Sequence, residues 1–336
     1  MNIIMLLPLI AGFFISYLIL PKWIEKAKNI KLIWKDMNKF KEEYVAGSGG
    51  IIVILGFISA VLLYIALKTF YFQSDETTTK IFAMLSSILI LAGIGIIDDL
   101  LGWQHGGLSK KLRIVLCLFA AIPLMVINAG HSDIALPLFG KMNIGLLYPL
   151  LIIPIGIIGA ATTFNFLAGF NGLEASQGII VLTALSMVAY FTGYGWLALI
   201  ILGMVFSLIA FFIFNKVPAK IFPGDVLTYP VGGMIAIAAI LGNFERVAVF
   251  FFIPYIIETI LKSRGKLIKQ SFGKPNKEGG LEMPYNKIYG LEHLAIFILK
   301  KFNKNNEKNV VYLINAFQIF VIILGFIIFR KNIFLF

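Results

Sequence analysis

The 336-residue chain is poor in charge: only 14% of its residues are Asp, Glu, Lys or Arg. It has one cysteine, Cys117, so an intrachain disulfide is excluded. Its three histidines, His105, His131 and His293, are scattered, which argues against a zinc site built on the usual ligand spacing. No basic residue precedes Lys22, and no small-residue cleavage site follows the first apolar run. That run is therefore expected to be a retained helix and not a cleaved signal. No internal repeat is visible. The apolar runs do not alternate with polar residues, as the strands of a barrel would.

What is there is overwhelmingly hydrophobic. Apolar residues make up 59% of the chain, and the mean hydropathy is +0.91. A spanning helix needs about 20 largely apolar residues. Ten segments qualify, at roughly 3–20, 49–67, 80–97, 112–128, 147–164, 175–192, 196–213, 226–242, 247–262 and 310–329. The expected fold is all-α: a single polytopic membrane domain over 1–336, with about ten helices and both termini on one face.

Lysine and arginine set the orientation. With the termini outside, the inner loops at about 21–48, 98–113, 214–225 and 262–309 hold 23 of the 29 basic residues. The 165–174 connection then also faces the cytoplasm. The net charge of +12 reads as topology and attraction to anionic lipid, not as nucleic-acid binding. The bilayer is the expected environment and the cell membrane the expected location, with the site on the cytoplasmic face.

The polar residues gather at the inner helix ends. Asn165-Phe-Leu-Ala-Gly-Phe-Asn-Gly-Leu-Glu174 has two asparagines, two glycines and a carboxylate. It can be a tight Asn-Gly turn, or a ligand site made of amide side chains and glycine-freed backbone. Loop one carries Lys35-Asp36-Met37-Asn38-Lys39, then Gly47-Ser48-Gly49-Gly50. The glycine run reads as a flexible linker or as a helix start whose N–H groups meet an anion. Segment 80–97 leads into Asp98-Asp99, expensive near hydrocarbon. Adjacent helical residues point about 100° apart, so the two need not face one partner. Ser109 suits an N-cap before Lys110-Lys111-Leu112-Arg113. The stretch 129–146 suggests a small outer hairpin about a Gly140-Lys141 turn. Phe222-Pro223-Gly224-Asp225 opens the eighth segment with an acid, which the helix dipole favours. The last inner loop, about 263–309, mixes glycine and lysine with Leu281-Glu282-Met283-Pro284-Tyr285-Asn286-Lys287. The segments themselves are nearly uncharged, Glu258 being the nearest exception. A channel or transporter tends to place ionisable groups near the midplane. Carboxylates, amides and lysines at one interface suit chemistry on a phosphate-bearing ligand and a lipid.

Taken together, Asn165–Gln177, Phe222–Asp225, the Asp98-Asp99 pair and Asp36-Met-Asn-Lys39 resemble the polyprenyl-phosphate N-acetylhexosamine-1-phosphate transferase family. The likeness is strongest to its archaeal and eukaryotic dolichyl-phosphate branch, which Leu281–Lys287 also resembles. It extends over nearly the whole chain, in order. The resemblance implies transfer of GlcNAc-1-phosphate from UDP-GlcNAc to a polyprenyl or dolichyl phosphate. It implies Mg2+, with Mn2+ as a substitute, and is compatible with a homodimer. It implies Asn165 and Asp225 as metal ligands, and Asp98 and Asp99 flanking metal and acceptor phosphate. Lys111, or Lys110 beside it, would hold phosphate. Gly169 and Asn171 would meet the uridine, Phe222 would stack on uracil, and Met37 would pack by the sugar. The family's acid before the Gly-Gly pair of loop one falls on Gly47 here, leaving Glu42 or Glu43 as replacements. The family's His/Arg motif is missing from the last loop, leaving Lys269 and Lys274. Two alternatives stay open: the same reaction with another UDP-sugar, and a transporter of nucleotide-sugar or lipid-linked sugar.

Overall fold

The computed structural model describes residues 3–74, 76–130, 133–136 and 140–334, with backbone only for 103–105, 133–136 and 140–142. The elements run α1 (Leu7–Asn29), β1 (Ile33–Lys35), β2 (Tyr44–Ala46), α2 (Gly50–Ala66), α3 (Thr78–His105), α4 (Lys110–Phe119), α5 (Ile122–Val126), β3 (Asp133–Leu136), β4 (Gly140–Asn143) and α6 (Ile153–Phe164). They continue with α7 (Leu173–Phe191), α8 (Gly195–Asn215), α9 (Asp225–Gly242), α10 (Glu245–Phe251), α11 (Ile253–Arg264), β5 (Lys274–Pro275), β6 (Leu281–Glu282), α12 (Leu291–Lys300), α13 (Glu307–Ile328) and α14 (Arg330–Ile333). His131 lies outside the described residues, as does the side chain of His105.

Among the described residues seven helices are long and apolar enough to cross a membrane: Ile3–Asn29, Gly50–Tyr71, Thr78–Gly102, Leu173–Phe191, Gly195–Asn215, Asp225–Gly242 and Glu307–Ile328. The chain is a multi-pass, mostly helical membrane protein. The other three expected segments are helical but interrupted or short. Segment 112–128 divides into α4 and α5, segment 147–164 is a π-turn followed by α6, and segment 247–262 divides into α10 and α11. A proline stands in the first turn of α5, α6 and α11 (Pro123, Pro154 and Pro254). Proline fits a first turn, where its missing N–H costs nothing, but cannot accept a helix running through it undisturbed. The first helix is also longer than expected. The basic stretch after residue 20 is the last part of α1, which runs through Pro21 to Asn29.

α9 is the centre of the bundle. Its span is 94% buried, against 28% for α1 and 33% for α13 at the rim. Hydrocarbon does not drive helices together as water does, so close approach depends on small residues. A Cβ on Gly95 would lie 2.5 Å from the carbonyl carbon of Asp225, one on Gly232 2.4 Å from the carbonyl oxygen of Ala160, and one on Gly50 2.5 Å from Leu227 N. α3, α6 and α2 therefore meet α9 backbone to backbone, and two of these contacts are at its first turn.

β1 and β2 form an antiparallel hairpin with Trp34 opposite Val45. The Gly47–Gly50 run after it is neither a linker nor an anion nest. Gly49 N donates to the Phe222 carbonyl and Gly50 N to that of Pro223, each at 2.9 Å, while Phe222 N donates to Ala46 O at 2.7 Å. Loop one is thereby bolted to the segment that delivers Asp225. A side chain at Gly47 would run into the Trp34 ring, 1.6 Å away. The hairpin expected over 129–146 forms from β3 and β4, but Gly140 and Lys141 lie in the second strand and not at its turn. Residues 137–139 lie outside the described residues.

Candidate active site

A cavity of about 580 Å3 opens where loop one, α3, the 165–174 turn, the 222–225 segment and the last loop meet. Its walls include Met37, Asp98, Asp99, Asn165, Gly169, Asn171, Phe222 and Asp225, which are eight of the twelve expected site residues.

α3 does not end at the Asp pair but continues to His105. Asp98 and Asp99 thus leave one helix in different directions. Asp98 Oδ1 accepts from Leu108 N at 2.8 Å and from Arg113 Nη2 at 3.0 Å, and Oδ2 accepts from the Tyr229 hydroxyl at 2.9 Å. Arg113 Nε lies 2.6 Å from Asp98 Oδ2. Both carboxylate oxygens thus have donors, and the residue is 2% exposed. Asp99 differs. Its Oδ1 accepts from Asp225 N at 2.7 Å, but its Oδ2 is buried and has no partner. A buried carboxylate oxygen without a donor is costly unless a cation or proton meets it.

Asp225 stands in the first turn of α9, where the dipole favours an anion. Asn165 Nδ2 donates to its Oδ1 at 3.0 Å. Gly224 before it takes φ +74°, and a Cβ there would sit 2.1 Å from Asp99 Oδ2. Only glycine allows the loop to pass that closely.

The 165–174 stretch is both things the sequence allowed: a tight turn and a cavity wall. Gly169 has φ +100°, with the Phe272 ring 2.7 Å from where a Cβ would be. Gly169 N donates to Glu174 Oε1 at 2.8 Å, and its carbonyl accepts from Asn38 Nδ2 at 2.8 Å. Asn38 Oδ1 also accepts from Gly273 N at 3.1 Å. One buried amide thus ties loop one, the turn and the last loop together. Asn171 Nδ2 donates to Asp36 Oδ2 at 2.8 Å, and Asn171 N donates to Glu307 Oε1 at 2.9 Å. Lys39 is ion-paired with Glu307 and lies 3.8 Å from Asp36 Oδ2. Burial works against the Lys39 charge, but the hydrogen bond and charge of Glu307, with Asp36 and Glu43, outweigh it and raise its pKa.

The four lysines expected here are not brought to the cavity walls. Lys110 Nζ donates to the Leu267 carbonyl at 3.0 Å. Lys111 is exposed in the first turn of α4. Lys269 lies over the Tyr285 ring at 4.8 Å and the Tyr289 ring at 5.9 Å. Lys274 is exposed in β5, opposite Glu282. Helical phase explains α4: successive residues turn by about 100°, so the face that meets Asp98 carries Arg113. Glu42 is exposed and paired with Lys35, and Glu43 is exposed, so neither stands in for the missing acid of loop one. Arg113, Asp36, Asn38 and Glu307 had no assigned role in the sequence reading. The first three lay in runs already noted. Glu307, 136 positions from Asn171, gave no local signal.

The cavity walls hold five carboxylates, Asp36, Asp98, Asp99, Glu174 and Asp225, against two cations, Lys35 and Arg113. Among the described residues no three His, Cys, Asp or Glu side chains close on one point as a metal cage. An excess of acid with two orphaned carboxylate oxygens, Asp99 Oδ2 and Glu174 Oε2, nevertheless fits a hard cation whose shell is completed by a ligand's phosphates.

Beside the cavity an apolar groove of about 430 Å3 runs between α6, α9, α10 and α11. It reaches Thr163, two residues before Asn165.

The sequence pattern of glycosyl transferase family 4 matches residues 81–243. A Saccharolobus solfataricus protein provisionally named UDP-N-acetylglucosamine–dolichyl-phosphate N-acetylglucosaminephosphotransferase is 37% identical over 294 residues, 87% of each chain. The Dictyostelium discoideum protein of that name is 24% identical over 74% of this chain and 70% of its own. A phospho-N-acetylmuramoyl-pentapeptide-transferase of Streptococcus pyogenes is 27% identical over 80% of this chain and 83% of its own. The chain belongs to glycosyl transferase family 4.

Proposed function

We propose that the chain transfers GlcNAc-1-phosphate from UDP-GlcNAc to a dolichyl or related polyprenyl phosphate and releases UMP, on the cytoplasmic face of the cell membrane. The observation that carries this reading is the meeting of Asp98, Asp99, Asn165 and Asp225, from three separate chain segments, at one cavity beside an apolar groove. The names of the relatives support the substrates.

In the reaction an oxygen of the lipid phosphate attacks the β-phosphorus. A new P–O bond forms, the bond from that phosphorus to the bridging oxygen breaks, and UMP leaves with that oxygen. Mg2+, or Mn2+ in its place, would be held by Asp225 and Asn165 and would offset the diphosphate charge that the acidic walls otherwise repel. Asn165 fixes the rotamer of Asp225 through its amide. Asp99 presents its free Oδ2 to the metal side or to the acceptor. Asp98, with donors on both oxygens, holds Arg113 at the cavity wall, where the guanidinium can meet phosphate oxygens. Asn171 and Gly169 shape the wall through Asp36, Glu307 and Asn38, and Met37, Phe222 and Trp34 supply its apolar part. The lipid tail lies in the groove beside Thr163. A covalent aspartyl-phosphate route is the rival to direct displacement.

The likeness to the pentapeptide transferase favours one second reading, the same displacement with a different UDP-sugar. The test is UMP release by purified protein from UDP-GlcNAc. UMP that requires both a polyprenyl phosphate and Mg2+ establishes the reaction, and replacement by UDP-GalNAc or the muramoyl-pentapeptide donor fixes the sugar. No UMP from any UDP-sugar, with folded protein, overturns it and favours transport.

A further inference from the structure

A second buried charged cluster lies outside the cavity, unused by the chemistry above. Glu258 and Glu292 are fully buried, and His293 beside them is 1% exposed. Lys262 stands one turn after Glu258 on α11, its Nζ 3.4 Å from Glu258 Oε1. The same ammonium donates to the Phe166 carbonyl and, at 2.7 Å, to Ser271 Oγ. Of the three donors of an ammonium, two meet these oxygens, and Glu258 adds an ion pair. Each partner leads somewhere specific. Phe166 follows Asn165, whose amide holds Asp225. Ser271 precedes Phe272, whose ring covers Gly169. Glu258 Oε2 accepts from Leu291 N at 2.6 Å and so anchors the start of α12.

The charges balance. Burial, and then the neighbouring Glu258 charge, raise the pKa of Glu292 well above the ordinary carboxylate value and so favour its neutral form. Glu258 and Lys262 remain as one buried pair. Such a pair is weak support for a fold, because desolvation offsets the attraction. Its worth here lies in the three groups that its geometry fixes.

We propose that Lys262 is a positioning residue for the transfer reaction: it sets the Phe166 carbonyl, and through it Asn165 against Asp225, and it holds Ser271–Phe272 down over Gly169. The proposal rests on the reading of the cavity as a metal-dependent transferase site.

The test uses the full-length protein with two readouts: UMP release, and the thermal stabilisation given by UDP as Mg2+ is titrated. Lys262→Met alone strands the Glu258 charge, so the informative variant is Glu258→Gln/Lys262→Met, which keeps the cluster neutral. It should fold with wild-type stability in the absence of ligand. It should lose about 10-fold to 100-fold in kcat, the cost of a small misplacement of reacting groups, with KM for the lipid acceptor unchanged. It should also need about tenfold more Mg2+ for half-maximal stabilisation, and Lys262→Arg should recover most of both losses. A folded double variant with wild-type kcat and Mg2+ requirement overturns the proposal. If the double variant does not fold, Ser271→Ala decides: a fall in kcat with unchanged stability supports the proposal, and unchanged kcat overturns it. If wild type releases no UMP yet is stabilised by Mg2+ with UDP, the transferase reading fails. The shift in Mg2+ requirement then still decides the role of Lys262.

Discussion

The two sides of the cavity are made differently. On one side α3 and α9 present Asp98, Asp99 and Asp225 from helix backbone, with Gly95 allowing the two helices to touch at that level. On the other, the last loop contributes only Gln270 and Phe272 to the wall, while its lysines fold away onto tyrosines or into solvent. A side chain on a helix whose crossing is fixed by glycine contacts has its position set by packing. A side chain on a loop goes to whatever local partner holds it best. We therefore place the proposed chemistry on the helix side of the cavity.

Substitutions can break or sharpen that contrast. The largest effect is expected at Asp225, where Asp225→Ala should lower UMP release by about 10³-fold, comparable to the loss of a principal electrostatic group. The fold should persist, as judged by melting temperature, and activity near wild type would show that the helix wall is not the reacting side. Next, Arg113→Met should cost about 10²-fold, because it removes the guanidinium from the wall and leaves Asp98 without its cation. Lys111→Met, two positions away, should change kcat by less than about threefold, since that side chain is on the exposed face of α4. A reversal of these two would refute the helical phase assigned here. A smaller effect is expected from Lys269→Ala. The lost contacts with Tyr285 and Tyr289 are worth about 0.5–1 kcal/mol of stability, with KM for UDP-GlcNAc unchanged. A tenfold rise in KM would return the loop to the substrate side.

The smallest effect concerns pH. Glu292 binds its proton more tightly folded than unfolded, so its contribution is fully present below its ordinary value of 4.5 and is lost as pH rises toward the raised folded value. Glu292→Gln removes that dependence. The variant should gain melting temperature over wild type at about pH 8 and gain little at about pH 5. An equal difference at both values would mean that Glu292 is not neutral in the folded protein.

How much of this could be read from the sequence follows the same division. The ten apolar segments are each at least partly helical, and among the described residues seven are long and apolar enough to cross a membrane, because such a run has few other folds. The breaks in three of them depend on Pro123, Pro154 and Pro254, which mark helix starts only once neighbouring helices accept the kink. The cavity residues on helix ends and tight turns lie together as the family resemblance implied: Asp99 beside Asp225, Asn165 on Asp225. The cation did not. Choosing Arg113 over Lys110 or Lys111 needs the rotation of α4 against α3, and that is set by packing far from the motif. The pairing of Gly49 and Gly50 with Phe222 and Pro223 was likewise hidden, since a Gly-Ser-Gly-Gly run looks alike as a linker, a nest or a buried joint.

The central claim is that the cavity moves a phosphosugar and not a sugar alone. It is tested most directly with UDP-GlcNAc labelled in the β-phosphate, supplied with dolichyl phosphate and Mg2+. The account predicts that the label passes to the lipid and that UMP is the nucleotide released. Release of UDP with the label still on the nucleotide, or no transfer by folded protein, would contradict it.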